Sequence, residues 1–236
     1  MKVRIKFAKY GSMKYVGHLD IMRYFQKAIR RSGIPIRYSE GFNPHQIMSF
    51  AAPLGVGITS QGEYMDIELN DVLPSSQGVE RLKAQMVEGM DVLQFRYLPD
   101  QAKNAMSSVT AAGYQVRCRL ASDLPYRLED LQQAKQRFFD DATSIPVTKK
   151  TKKGERELDL RPLIYDFRIE EEADETIFFL TLSTGSVDNI KPQFVLDTFF
   201  ASMEGDIDVS YHIHRIDLFT TIEEKLVSLG DIGYEQ

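Results

Sequence analysis

Four histidines carry most of the acid–base capacity near neutral pH, and they fall as two pairs: His18 and His45, then His212 and His214. Gly17-His18-Leu19-Asp20 precedes apolar residues at helical spacing, so it reads first as a helix start. Asp20 then serves as an N-terminal cap or first-turn acid, and His18 sits where the helix dipole disfavours an imidazolium. Read chemically, His18, Asp20 and His45 form the candidate catalytic set. His45 follows Asn43-Pro44 and could be carried towards His18 by a hairpin. His212 and His214 share a strand face at i, i+2, but no cysteine or third obvious ligand accompanies them, so no metal site is assigned. Glu63 and Asp66 point to opposite faces of a strand, which argues against a paired-carboxylate site. The lysine pattern of a phosphate loop is missing, and no cofactor is implied.

Two loops add binding chemistry. Tyr38 to Gly55 is long for a hairpin connection, and loops of that size in small domains tend to be functional. Lys149, Lys150, Lys152 and Lys153 form a basic loop whose lysines would anchor phosphates without reading sequence.

The elements that must position these residues follow from periodicity. Val3, Ile5 and Phe7 alternate with Lys2, Arg4 and Lys6, the mark of a half-buried strand. A helix over 21–31 stopped at Ser32-Gly33, strands at 34–38, 62–69 and 92–98, and a helix at 75–89 complete a β-α-β-β-α-β order. A strand at 114–120, a helix at 128–142, a strand begun at 145–147 in a central region extended by 157–169 and 176–183, a helix at 193–203 and a strand at 209–218 repeat it. The expected fold is α+β, a tandem of two ferredoxin-like βαββαβ units. Unit one spans 1–98, a linker 99–113, unit two 114–219 and an acidic tail 220–236. One face of each sheet would lie under its helices and the other stay open. Lys2, Arg4 and Lys6, with Arg96 beside Arg4, would occupy the open face of the first sheet. Arg117 and Arg119, near His212 and His214, would occupy that of the second.

Over 236 residues, 29 Lys+Arg oppose 34 Asp+Glu for a net charge of -5, but the average hides an asymmetry. Residues 1–60 hold ten Lys/Arg against Asp20 and Glu40, a balance of +8 that leaves -13 for the rest. That distribution admits a polyanionic partner. Apolar runs are far shorter than a membrane helix needs, the N-terminus has no signal-peptide block, and Cys118 is the only cysteine. The expectation is a cytoplasmic protein without membrane association.

Gly17-His18-Leu19-Asp20, Ser39-Glu40-Gly41-Phe42-Asn43-Pro44, Pro53-Leu54-Gly55, Gly62-Glu63-Tyr64 and Glu157-Leu158-Asp159-Leu160-Arg161-Pro162 together resemble the radical-SAM-linked proteins, a bacterial family of unknown function (the DUF2344 domain). The resemblance covers roughly residues 1–215, and the loop Glu40, Gly41, Phe42, Asn43, Pro44 is its most specific part. It implies a radical SAM protein as partner. The chain has no three-cysteine cluster motif and resembles the partner of such an enzyme, not the enzyme.

The reading that follows is a non-catalytic RNA-binding accessory protein that presents an RNA or ribosomal substrate to a radical SAM enzyme. Phosphate contacts would come from Lys2, Arg4, Lys6, Arg30, Arg31, Arg117, Arg119, Lys149, Lys150, Lys152 and Lys153. The alternatives are a metal-independent endoribonuclease, resembling the repeat-RNA-processing enzymes of CRISPR systems at the level of fold, and a protein-only adaptor.

Overall fold

The alternation at the N-terminus folds as strand β1 (Lys2–Lys9) in the computed structural model, which describes all residues except 121–125, 152–153, 173–174, 186–187 and 204–208. The chain continues through α1 (His18–Ser32), β2 (Met48–Phe50), β3 (Thr59–Glu68), α2 (Ser75–Lys83), β4 (Met90–Tyr97) and α3 (Ala105–Ser108). Then come β5 (Ala111–Leu120), α4 (Leu128–Lys135), β6 (Pro146–Thr151), β7 (Gly154–Asp159), β8 (Ile164–Glu172), β9 (Glu175–Ser183), α5 (Pro192–Ala201), β10 (Val209–Ile222) and β11 (Lys225–Ser228). The class is α+β, as expected. Among the described residues, no helix is long and apolar enough to cross a membrane.

Contacts divide the chain into two units, 1–111 with 215–236, and 112–214. In unit one, β1 lies between β4 and β3, antiparallel to both, and β2 pairs with β3. Helix α1 buries Ile21, Phe25, Ala28 and Ile29, one stripe at helical spacing, and ends at Gly33 in the left-handed region (φ 67°). Phe25 packs edge-on to Phe7 of β1 at 4.7 Å between ring centroids, and each such buried ring contributes about 1.5–3 kcal/mol.

The open sheet face expected for unit one is closed. Arg4 and Lys6 do point away from α1, and Arg96 stands opposite Arg4 in register. Arg4 is nevertheless only 2% exposed, held by Asp66 (2.8 and 3.0 Å) and by the Lys103 carbonyl. Residues 99–113, read as a linker, bury Ala105, Val109 and Ala111, and the Ala105 N–H donates to Asp66. Residues 220–236, read as an acidic tail, add β11 to β10, bury Leu229 and pair Tyr234 with Tyr97. Ser228 and Tyr64 both donate to Asp217, which also pairs with Lys6. The second strand differs too. Its expected place at 34–38 makes only isolated bridges, Ile36 to Leu69 and Tyr38 to Gln46, and Met48–Phe50 takes the pairing. Pro35 lacks the N–H that a continuous ladder there would need.

Unit two pairs β8 with β9 antiparallel around Phe167, Phe178 and Phe199. The strand expected to begin at 145–147 is β6, but it pairs with β7 in a separate two-stranded sheet that a βαββαβ unit does not contain.

Candidate functional site

Where β1 meets the start of α1, charged side chains sit inside an otherwise apolar wall. The β1–β3 register shifts between Phe7 and Lys9, leaving Phe7 opposite Glu63 and Lys9 opposite Ser60. Phe7, Ile21, Phe50 and Leu54 line a narrow pocket together with Lys9, His18 and Glu63. The His18 ring stands edge-on to Phe50 at 5.3 Å. Glu63 is held by both arms of Arg215 (2.7 and 2.5 Å), and Arg215 also donates to the Ala52 carbonyl at 3.0 Å. Lys9 is 2% exposed and its Nζ donates to the Val16 carbonyl at 2.7 Å.

This setting moves two proton affinities. Burial pulls the Lys9 ammonium below the ordinary lysine value, Arg215 pushes the same way, and Glu63 opposes them. Burial likewise holds His18 below 6.5, with Lys9 reinforcing and Glu63 opposing, so the imidazole is neutral at neutral pH. Perturbed groups gathered in a cleft are a mark of functional sites. Each Glu63 oxygen accepts from Arg215, so the carboxylate is committed to that pair and His18 is the pocket's other candidate base.

Of the proposed catalytic set, only His18 lines this pocket. Asp20 pairs with Arg23 on the exposed side of α1 at 3.1 Å. His45 lies in the exposed motif loop, its Nδ1 2.8 Å from the Ser39 hydroxyl. Glu40, Gly41, Phe42, Asn43 and Pro44 are all exposed, with the Phe42 ring fully in solvent. Among the described residues, no group of three or more His, Cys, Asp or Glu could hold a metal ion.

The expected phosphate contacts separate sharply. Lys2, Arg30 and Arg31 are exposed, whereas Arg4 is buried and Lys6 is paired with Asp217 at 3.3 Å. Arg117 pairs with Glu175 at 2.5 Å, and Lys149 donates to the Asn189 carbonyl at 2.9 Å. Lys152 and Lys153 lie outside the described residues, as do the side chains of Arg119 and Lys150. The exposed cations of α1 are Arg23, Lys27, Arg30 and Arg31, spaced at i, i+4, i+7 and i+8 along one helix side.

Sequence reasoning missed Lys9 and Arg215, and discounted Glu63. The signal was available: Glu63 shares its strand face with Met65 and Ile67, and a charge at an inward position needs a partner. The segment Glu157 to Pro162 is a structural staple. Asp159 accepts from the Ile145 and Arg161 N–H groups (2.7 and 2.9 Å), and those bonds hold its carboxyl below the usual range. Arg161 donates to the Ala142 carbonyl and stacks on Phe139 at 4.1 Å.

No curated protein matches the chain. A chain in the crystal structure of a Cbf5-Nop10-Gar1 complex is similar in fold, with a TM-score of 0.53 at 11% identity over 97% of this chain. The match covers 53% of that chain, so the present sequence spans about half its length. The crystal structure of an unknown protein from Galdieria sulphuraria aligns over 90% of this chain and 97% of its own at 11% identity, with a TM-score of 0.24. The profile of a family described as "Uncharacterized protein conserved in bacteria (DUF2344)" matches residues 2–192, and the chain belongs to that family.

Proposed function

We propose that this protein is a non-catalytic RNA-binding accessory protein, which lays a phosphodiester backbone along the solvent side of α1 and presents the RNA to a radical SAM partner. The observation that carries the reading is the stripe Arg23, Lys27, Arg30 and Arg31. Its four cations repeat on one helix side and none is buried, which suits a delocalised phosphate track. Exposed Phe42 and Tyr38 in the motif loop, and Tyr15 before α1, supply ring faces on which bases can stack. The radical SAM partner rests on the family resemblance. We also read each unit as a ferredoxin-like variant. The order β4-β1-β3 with β2 beside β3 supports this for unit one, and β6–β7 is then an insertion in unit two.

The test is RNA affinity as a function of salt. Single-stranded RNA should bind with log K falling linearly against log salt concentration, and Lys27→Glu with Arg30→Glu and Arg31→Glu should flatten that slope by about 2, the share of three phosphate contacts. Binding indifferent to salt, or unchanged in the triple variant, would overturn the reading.

A further inference from the structure

The pocket at the head of α1 holds more hydrogen-bond donors than its own acceptors occupy. Lys9 carries three N–H groups and makes one hydrogen bond, to Val16, although it is almost wholly buried. The neutral His18 ring has one N–H to offer, and among the described residues it makes no hydrogen bond. Glu63 bonds neither of them among the described residues: each of its oxygens accepts from Arg215 instead. Lys9 and Arg215 against Glu63 leave one net positive charge at the floor, in apolar surroundings where a charge is costly unless it is matched. Gly17 caps α1 without a side chain, so the first-turn N–H groups of the helix add positive potential beside the mouth.

We propose that this pocket is a binding site for a small oxyanion, the phosphoryl group of a phosphate monoester, with Lys9 and His18 as its donors. The size agrees. The cavity itself is only about 20 Å3 and opens to solvent, which shuts out a base or a chain segment and leaves room for no more than a small head group entering from the mouth. Two sources share this chemistry: the terminal phosphate of an RNA lying on α1, and a free phosphorylated small molecule. The first rests on the RNA reading above; the site itself does not.

Isothermal titration with inorganic phosphate and a 5′-mononucleotide, and RNA affinity with 5′-phosphorylated and 5′-hydroxyl forms of one oligoribonucleotide, decide it. The site predicts phosphate binding that weakens at least about tenfold in Lys9→Met and in His18→Ala, the factor a charge-assisted hydrogen bond carries. Lys9→Met keeps the length of the side chain and removes a buried charge, so its thermal midpoint should hold or rise while binding falls. Binding should also weaken as pH rises through the lowered Lys9 value, where the groups facing Lys9 are His18 of α1, Glu63 of β3 and Arg215 of β10. A preference for 5′-phosphorylated RNA that vanishes in Lys9→Met assigns the RNA end. Binding of phosphate or mononucleotide without such a preference assigns the free molecule. If none of the probes binds, or if folded Lys9→Met binds them like the wild type, the proposal is wrong. The salt-slope experiment on α1 leaves this pocket intact, so the two proposals fail separately.

Discussion

His18 shows what a single side chain reports about its setting. Its spacing before an apolar helix made it a helix-start residue, and the structure places it there, yet its ring also turns into the pocket. Burial is the main cause of its lowered proton affinity, followed by Lys9, with Glu63 opposing. Between that lowered value and 6.5 the unfolded chain binds a proton that the native state does not, so stability rises with pH across the window and falls as pH drops through it. Urea midpoints measured from about pH 5 to pH 7 should therefore climb more steeply in the wild type than in His18→Gln. His45, His212 and His214 are common to both proteins, so the difference isolates His18. Parallel curves would show that the ring is solvated.

At the scale of elements, the sheet of unit one is stapled by two buried arginine–carboxylate pairs, one on each face. Arg215 of β10 grips Glu63 of β3, and Arg4 of β1 grips Asp66 of β3. Gly62, next to the first pair, allows a close approach: a Cβ there would run into the backbone of Ile216 and Asp217. Buried pairs are weak net stabilisers, but stranding one partner is expensive. Glu63→Ala should cost about 3–5 kcal/mol by leaving Arg215 uncompensated, whereas Glu63→Leu with Arg215→Met should recover most of it. Chemical denaturation of the three proteins checks this, and a double variant as unstable as the single one would contradict it. The apolar stripe of α1 and the β1 alternation were legible because each is a local period. The pairs were not, because partners 62 and 152 positions apart leave no local pattern.

For the whole chain, the balance of +8 over residues 1–60 overstates what a partner can meet. Arg4 and Lys9 are buried and Lys6 is paired, while the exposed share lies on Lys2, Arg37 and the four cations of α1. The expectation of an open basic sheet failed because two segments cover that face: residues 99–113, which hold Arg4 and Asp66, and the C-terminal residues, which composition alone marks as a solvated acidic end. Leu229 is fully buried, Arg96 donates to the Gly230 carbonyl at 2.7 Å, Tyr97 and Tyr234 exchange two backbone bonds, and Gln236 bonds Ser75. Deleting residues 223–236 should therefore act as loss of a core layer. One buried leucine contributes about 1.5–3 kcal/mol and each stranded buried polar group costs about 1–3 kcal/mol. At roughly 2–4 °C per kcal/mol for a chain of this size, the thermal midpoint should fall by on the order of 10 °C. A solvated tail would leave the midpoint unchanged, and scanning calorimetry of the two proteins separates these outcomes. The same deletion removes Ser228, which bonds Tyr64 and Asp217, the partner of Lys6. If it raised RNA affinity while lowering the midpoint, the sheet face would be a phosphate surface that the C-terminal residues mask. If affinity stayed constant, the contacts would belong to α1, as the exposed stripe requires.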